Sequence, residues 1–148
     1  MSLHKVILRI YKIGTPQMVI LLNSIAKTKF EAIWHTSIEI FNKEYYFGDR
    51  IYISEPNKTS HGVPYKIFEL GDTSISKEEF DMFLNNISEQ FGPKTYNILL
   101  NNCNHFSNIC SLFLCDKPIP QYILDVHEMS YKCEEVRKFS SLFFPDTN

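Results

Sequence analysis

The stretch NNCNHFSNICSLFLC, residues 101–115, decides the reading of this chain. It surrounds Cys103 with asparagines and then turns apolar. Phe106, Ile109, Cys110, Phe113 and Leu114 recur at i, i+3, i+4, i+7 and i+8, one stripe of an amphipathic helix. Asparagine suits the capping position, so the helix is predicted to begin at 102–104. That puts Cys103 at the helix start, where unpaired backbone N–H groups and the macrodipole favour negative charge. A free thiol titrates near pH 8.5. A helix start and a nearby imidazolium lower that value, and the same N–H groups can hold an oxyanion. Cys103 is therefore a candidate nucleophile, and on local sequence a small buried residue is an equal reading. That second reading fits Cys110 and Cys115, which follow in or after the stripe.

Metal binding fits poorly. Residues two apart on a helix point about 200° from each other, so Cys103 and His105 cannot easily share one ion. No paired C-x-x-C is present. Cys103 and Cys110 would lie roughly 10 Å apart along the axis, too far for a disulfide. No metal and no cofactor is expected.

A cysteine nucleophile needs an imidazole within reach. His105 fails by the same helical geometry. His4 lies near an end expected to fray, and His127 in a weakly patterned tail. His61 sits in the loop-like segment EPNKTSHGVP (55–64) and would approach only if that loop moves. His35 is best placed. It lies in IWHTSIEIF (33–41), where Trp34, Thr36, Ile38 and Ile40 alternate with Ile33, His35, Ser37 and Glu39. That is the period of a strand, and a strand holds a ring in a fixed place. A core histidine satisfied by one hydrogen bond is the competing reading. Trp34, beside the base, and residues 48–64 are read as walls of a substrate groove, although a core aromatic would look the same at position 34.

The rest of the chain completes an α+β pattern. VILRIYKI (6–13) reads as a strand and residues 16–26 as a helix with Pro16 at its start. A turn at Asn42-Lys43 makes 33–48 a hairpin. Residues 50–54 and 65–71 read as strands, the latter ending at Gly71. Ser76 opens a capping box with Glu79 ahead of Phe80, Phe83, Leu84, Ile87 and Phe91. TYNILL (95–100) reads as extended, and an amphipathic helix is expected near 127–143.

The chain has 148 residues, a net charge of −2 and 44% hydrophobic residues, with twelve Phe and eight Tyr. This suits one domain with a sizeable core. No basic face favours nucleic acid. MVILL (18–22) is too short to span a bilayer. The start MSLHKV lacks an apolar signal region, and no lipidation motif is present. These features read as a soluble intracellular protein whose cysteines stay thiols.

Two stretches together resemble a known family. IWHTSIEIFNKEYYFG (33–48) and YNILLNNCNHFSNICSLFLCDKPIPQYI (96–123) are similar to the PPPDE peptidases, which include desumoylating isopeptidases. The shared pattern is a W/F-H-T/S-x-I strand, then an N-C-N-x-F-S helix start about seventy residues on. The resemblance covers roughly residues 5–125 of a single domain spanning 1–148, with 126–148 as an extension. It implies a circularly permuted papain-like fold, an antiparallel sheet packed against helices, with His35 as general base and Cys103 as nucleophile. It further implies a thiol isopeptidase acting on conjugates of a ubiquitin-like modifier, SUMO or ubiquitin, in the cytoplasm and also the nucleus, with homodimers known in the family. A protein S-acyl thioesterase would use the same two residues. A non-catalytic binding module would need neither.

Overall fold

The computed structural model describes residues 2–143. Five strands form one antiparallel sheet: β1 (His4–Ile13), β2 (Ile33–Ile40), β3 (Lys43–Phe47), β4 (Ile51–Ser54) and β5 (Lys66–Thr73), in the order β4-β3-β2-β1-β5. The helices are α1 (Pro16–Ala26), α2 (Lys77–Ile87), α3 (Cys103–Cys115), α4 (Gln121–Tyr131), α5 (Glu134–Lys138) and α6 (Ser140–Phe143). The α+β class expected from the sequence is the one found.

Register assigns the faces. Leu8 pairs with Ile38, Ile10 with Thr36, and Ile38 with Tyr45, so these side chains share one face with Trp34 and Phe47. Helices α2 and α3 cover this face: Phe80 meets Tyr45 at 5.0 Å, and Phe106 meets Phe47 at 6.4 Å between ring centroids. Arg9 pairs with Ser37, Tyr11 with His35 and Glu39 with Glu44, so these point the other way. Residues 55–64 fold over that second face. Almost all of β2 is consequently buried on both sides.

Several local expectations shift. The β2–β3 turn is Phe41-Asn42, not Asn42-Lys43. Both residues have positive φ (54° and 60°), and Ile40 pairs with Lys43. A two-residue hairpin loop with both centres left-handed matches the twist of its strands, and this register keeps Ile38 opposite Tyr45 in the core. Strand β5 does not stop at Gly71. A bulge between Val6 and Ile7 absorbs an extra residue, Gly71 takes φ 148°, and pairing continues to Thr73. Residues 95–100 are not a strand. The Asn97 side chain accepts from the N–H groups of Leu99 and Leu100, both at 3.0 Å, and closes a turn instead. The amphipathic pattern near 127–143 resolves into the end of α4 plus α5 and α6, broken at Cys133 and Phe139.

Candidate active site

Cys103 is the first residue of α3, as the capping argument predicts. Asn102 is the N-cap. Its Oδ1 accepts from the Asn104 N–H at 2.8 Å, and its own N–H donates to His105 Nδ1 at 3.0 Å. His105 thus serves the cap, and burial holds its pKa below the usual histidine value. Cys103 is 1% exposed. Its Sγ lies 3.7 Å from Asn104 Oδ1.

Asn104 ties this helix start to the sheet. Its Oδ1 accepts from Thr36 Oγ1 at 2.8 Å, and its Nδ2 donates to the Trp34 carbonyl at 2.9 Å. Thr36 and Trp34 are the two neighbours of His35. Strand β3 ends at Phe47, so beyond it the edge of β2 lacks a strand partner, and the Asn104 amide bonds to the strand there. The amide Nδ2 also lies 2.8 Å from His127 Nε2. An amide nitrogen can only donate, so Nε2 accepts and the His127 proton sits on Nδ1. Burial, and then the charge of His105, push the His127 pKa down to about 3, which keeps the ring neutral.

His35 is fully buried on the opposite face of the sheet. Its ring stacks on His61 with centroids 3.6 Å apart and planes 17° from parallel. Tyr11 and Tyr46 flank it, each at 5.6 Å. Neither ring nitrogen makes a hydrogen bond among the described residues. Burial first, and the charge of His61 second, hold its pKa well below the usual range. The resting ring is a neutral base rather than an imidazolium. The structure therefore sets the helix start against the backbone of residues 34–36, but no hydrogen bond joins Cys103 Sγ to His35.

Around this face lies a buried polar network. The Tyr11 hydroxyl donates to Glu44 Oε2 at 2.6 Å and accepts from Arg9 Nε at 3.2 Å. Ser37 Oγ donates to the same carboxylate oxygen at 2.5 Å, and Arg9 Nη1 meets Glu39 at 2.6 Å. The Arg9 guanidinium also donates to Asn57 Oδ1, and the Asn57 N–H reaches Glu44 Oε1 at 3.2 Å.

Trp34 is 2% exposed, and its ring packs near Tyr65 at 5.4 Å and Tyr122 at 5.5 Å. These three line a cleft of about 420 Å³ together with Lys29, Phe30, Glu31 and Lys66. Cys110 is buried in the core, and burial pushes its thiol pKa well above normal. All four cysteines are free thiols. Among the described residues no cluster of His, Cys, Asp and Glu could hold a metal ion, and no helix is long and apolar enough to cross a membrane.

Two residues of the site are not visible in the sequence pattern. His127 lies in the weakly patterned tail, yet it packs in α4 against Asn104. Asn104 looks like a capping amide alone; the second asparagine of the N-C-N triplet is the available signal, since one cap needs only one amide. His4, expected in a frayed end, opens β1 opposite Thr73, away from these residues.

An antiparallel sheet with a buried histidine on its central strand, covered by a helix headed by cysteine, makes this a small α+β domain. The chain belongs to the PPPDE putative peptidase domain family, whose sequence pattern matches residues 4–141. It is 38% identical over 100 residues to desumoylating isopeptidase 1 of Xenopus laevis, covering 66% of this chain and 59% of that protein. The human protein of that name is 37% identical over 100 residues, covering 66% of this chain and 60% of its own length. A homolog so named in Caenorhabditis elegans is 29% identical over 112 residues, 69% of this chain and 34% of the relative. The matches thus span about three-fifths of the first two relatives and a third of the last.

Proposed function

We propose that this domain is a cysteine isopeptidase that releases a ubiquitin-like modifier from target lysines, with Cys103 as nucleophile and His35 as general base. One observation carries the reading: Asn104, next to Cys103, is hydrogen-bonded to both neighbours of His35. The names of the relatives favour SUMO as the modifier; ubiquitin is the competing modifier.

The chemistry starts from neutral partners. Once the ring and the sulfur meet, His35 accepts the thiol proton as Cys103 Sγ attacks the carbonyl of the modifier's last residue. The tetrahedral oxyanion collapses and the C–N bond breaks. The lysine amine leaves with the proton from His35. Water then attacks the thioester with His35 again as base, freeing the modifier's carboxylate and restoring the thiol. General-base help of this kind typically contributes about 10²–10⁴-fold. The cap limits the oxyanion site, because the Asn104 N–H is already held by Asn102. The oxyanion therefore draws on the Cys103 N–H and on groups outside the cap, each donor worth roughly 10²–10³ in rate. Trp34 and its cleft stand beside the anchored strand and are assigned to substrate binding.

The test is cleavage of purified SUMO–lysine and ubiquitin–lysine conjugates, with an acyl thioester run in parallel. Isopeptide cleavage lost in Cys103→Ser supports the reading. Turnover of the thioester alone would replace it with S-acyl hydrolysis, and unchanged cleavage by Cys103→Ser would end it.

A further inference from the structure

We propose that His61 is a positioning residue for this site: stacked face to face on His35, from a loop latched to Arg9 and Glu44, it fixes the plane in which His35 presents its nitrogens. This rests on His35 being the base.

A general base is ordinarily oriented by a third group hydrogen-bonded to its far nitrogen. His35 has no such bond among the described residues. Packing must do the orienting. Tyr11 and Tyr46 approach at a tilt and edge-on, which limits sliding but leaves rotation of the ring about χ2. The His61 ring, 3.6 Å away and 17° from parallel, is the contact that opposes this rotation. His61 is itself flanked by Tyr11 at 5.7 Å and Tyr46 at 5.3 Å, so the two imidazoles share one aromatic slot.

The loop that delivers His61 is held in place. Asn57 takes a left-handed φ of 67° and bonds to both members of the Arg9–Glu44 pair. Lys43 pairs with Glu55 at the start of the loop. Gly62, directly after His61, has φ 80° and open space around it. Backbone conformation, not crowding, is what calls for glycine there. Breaking the latch should act on His35 through His61.

The stack also bears on the His35 titration. His35 faces Tyr11 from β1, Tyr46 from β3 and His61 from the loop, with Arg9, Glu39 and Glu44 beyond them. Burial first, and the neighbouring His61 second, hold His35 in the free-base form that accepts the thiol proton.

The experiment compares wild type with His61→Ala, His61→Phe, Cys103→Ser and His35→Gln in two assays. One is the pH profile of modifier–lysine cleavage. The other is NMR titration of the His35 ring, which needs no substrate. His61→Ala is expected to lower kcat on the order of 10²-fold, the cost of a misplaced group, with KM little changed. His61→Phe keeps a flat ring and removes the second charge. It should restore kcat to within about fivefold and move the His35 titration upward. Wild-type kcat in His61→Ala, or an unmoved His35 titration in His61→Phe, would overturn the proposal. If His61→Ala fails to fold, the His61→Phe titration decides alone. Should Cys103→Ser and His35→Gln cleave like wild type, the functional reading fails instead, an outcome separate from a normal His61 variant beside two dead ones.

Discussion

On one face of β2, Trp34, Thr36, Ile38 and Ile40 meet Phe47, Phe80 and Phe106 in an almost wholly apolar core. On the other face, His35, Ser37 and Glu39 meet Arg9, Tyr11, Glu44 and Asn57, where the charged groups are paired and the ring nitrogens of His35 make no hydrogen bond among the described residues. The central residues of the two faces are about equally buried, yet different forces hold them. The apolar face is stabilised by area removed from water, which is tolerant of exact shape. The polar face is stabilised only while each group keeps its partner, because a buried charge left alone is costly. A reaction needs both. Cys103 heads a helix that belongs to the apolar face, His35 belongs to the polar face, and Asn104 joins them through the backbone of β2.

The largest effects should come from breaking the joint between the faces. Cys103→Ser and His35→Ala are each expected to lower modifier cleavage by on the order of 10³-fold or more, with a cooperative thermal transition retained. His35→Gln serves where the smaller side chain leaves too large a cavity.

Next comes the polar face itself. Glu44→Gln keeps the shape of the side chain but removes the charge that Tyr11, Ser37 and the Asn57 N–H bond to, while Arg9 keeps Glu39 at 2.6 Å. A loss of about 1.5–3 kcal/mol in denaturant unfolding is expected. A loss below about 1 kcal/mol would mean that the network is wetter than its burial suggests.

Acid should act through His127. Its folded pKa lies below the unfolded value of about 6.5, so the unfolded chain binds the proton first. The stability this ring contributes is complete above about pH 6.5 and is lost as pH falls toward the folded pKa near 3. At pH 4 the loss is on the order of 3 kcal/mol. His127→Gln keeps an acceptor for Asn104 and should be less sensitive than wild type between pH 7 and pH 4 in thermal scans. Equal sensitivity would place the acid-labile group elsewhere, with buried His35 the next candidate.

The smallest effect belongs to the apolar face. Phe106→Leu, at a site touching Phe47 and Phe91, should cost only about 1–1.5 kcal/mol. A cost matching that of Glu44→Gln would erase the contrast between the faces.

What the sequence made legible was local. The Ser76–Glu79 capping box, the alternation of residues 33–40 and the stripe from Phe106 to Leu114 all report neighbours within a few positions, and each was found where expected. The contacts that build the site are not local. Asn104 meets Thr36 across 68 positions and Trp34 across 70, and no period connects them. His127 looked like part of a weak tail because helix α4 mixes buried and exposed residues. His61 looked like a loop residue, which it is, but nothing in EPNKTSHGVP reports that Asn57 docks on Arg9. The turn moved by one residue because strand pairing outweighed the preference of Phe41 for negative φ.

The central claim is that Cys103 and His35 act as one unit although their side chains rise from different layers of the fold. The most direct measurement is labelling with SUMO and ubiquitin C-terminal vinyl sulfones, followed by peptide mapping of the adduct. The account predicts a single adduct at Cys103 in wild type, abolished in His35→Gln, with buried Cys110 untouched. An adduct at Cys115 or Cys133, or undiminished labelling of Cys103 in His35→Gln, would contradict it.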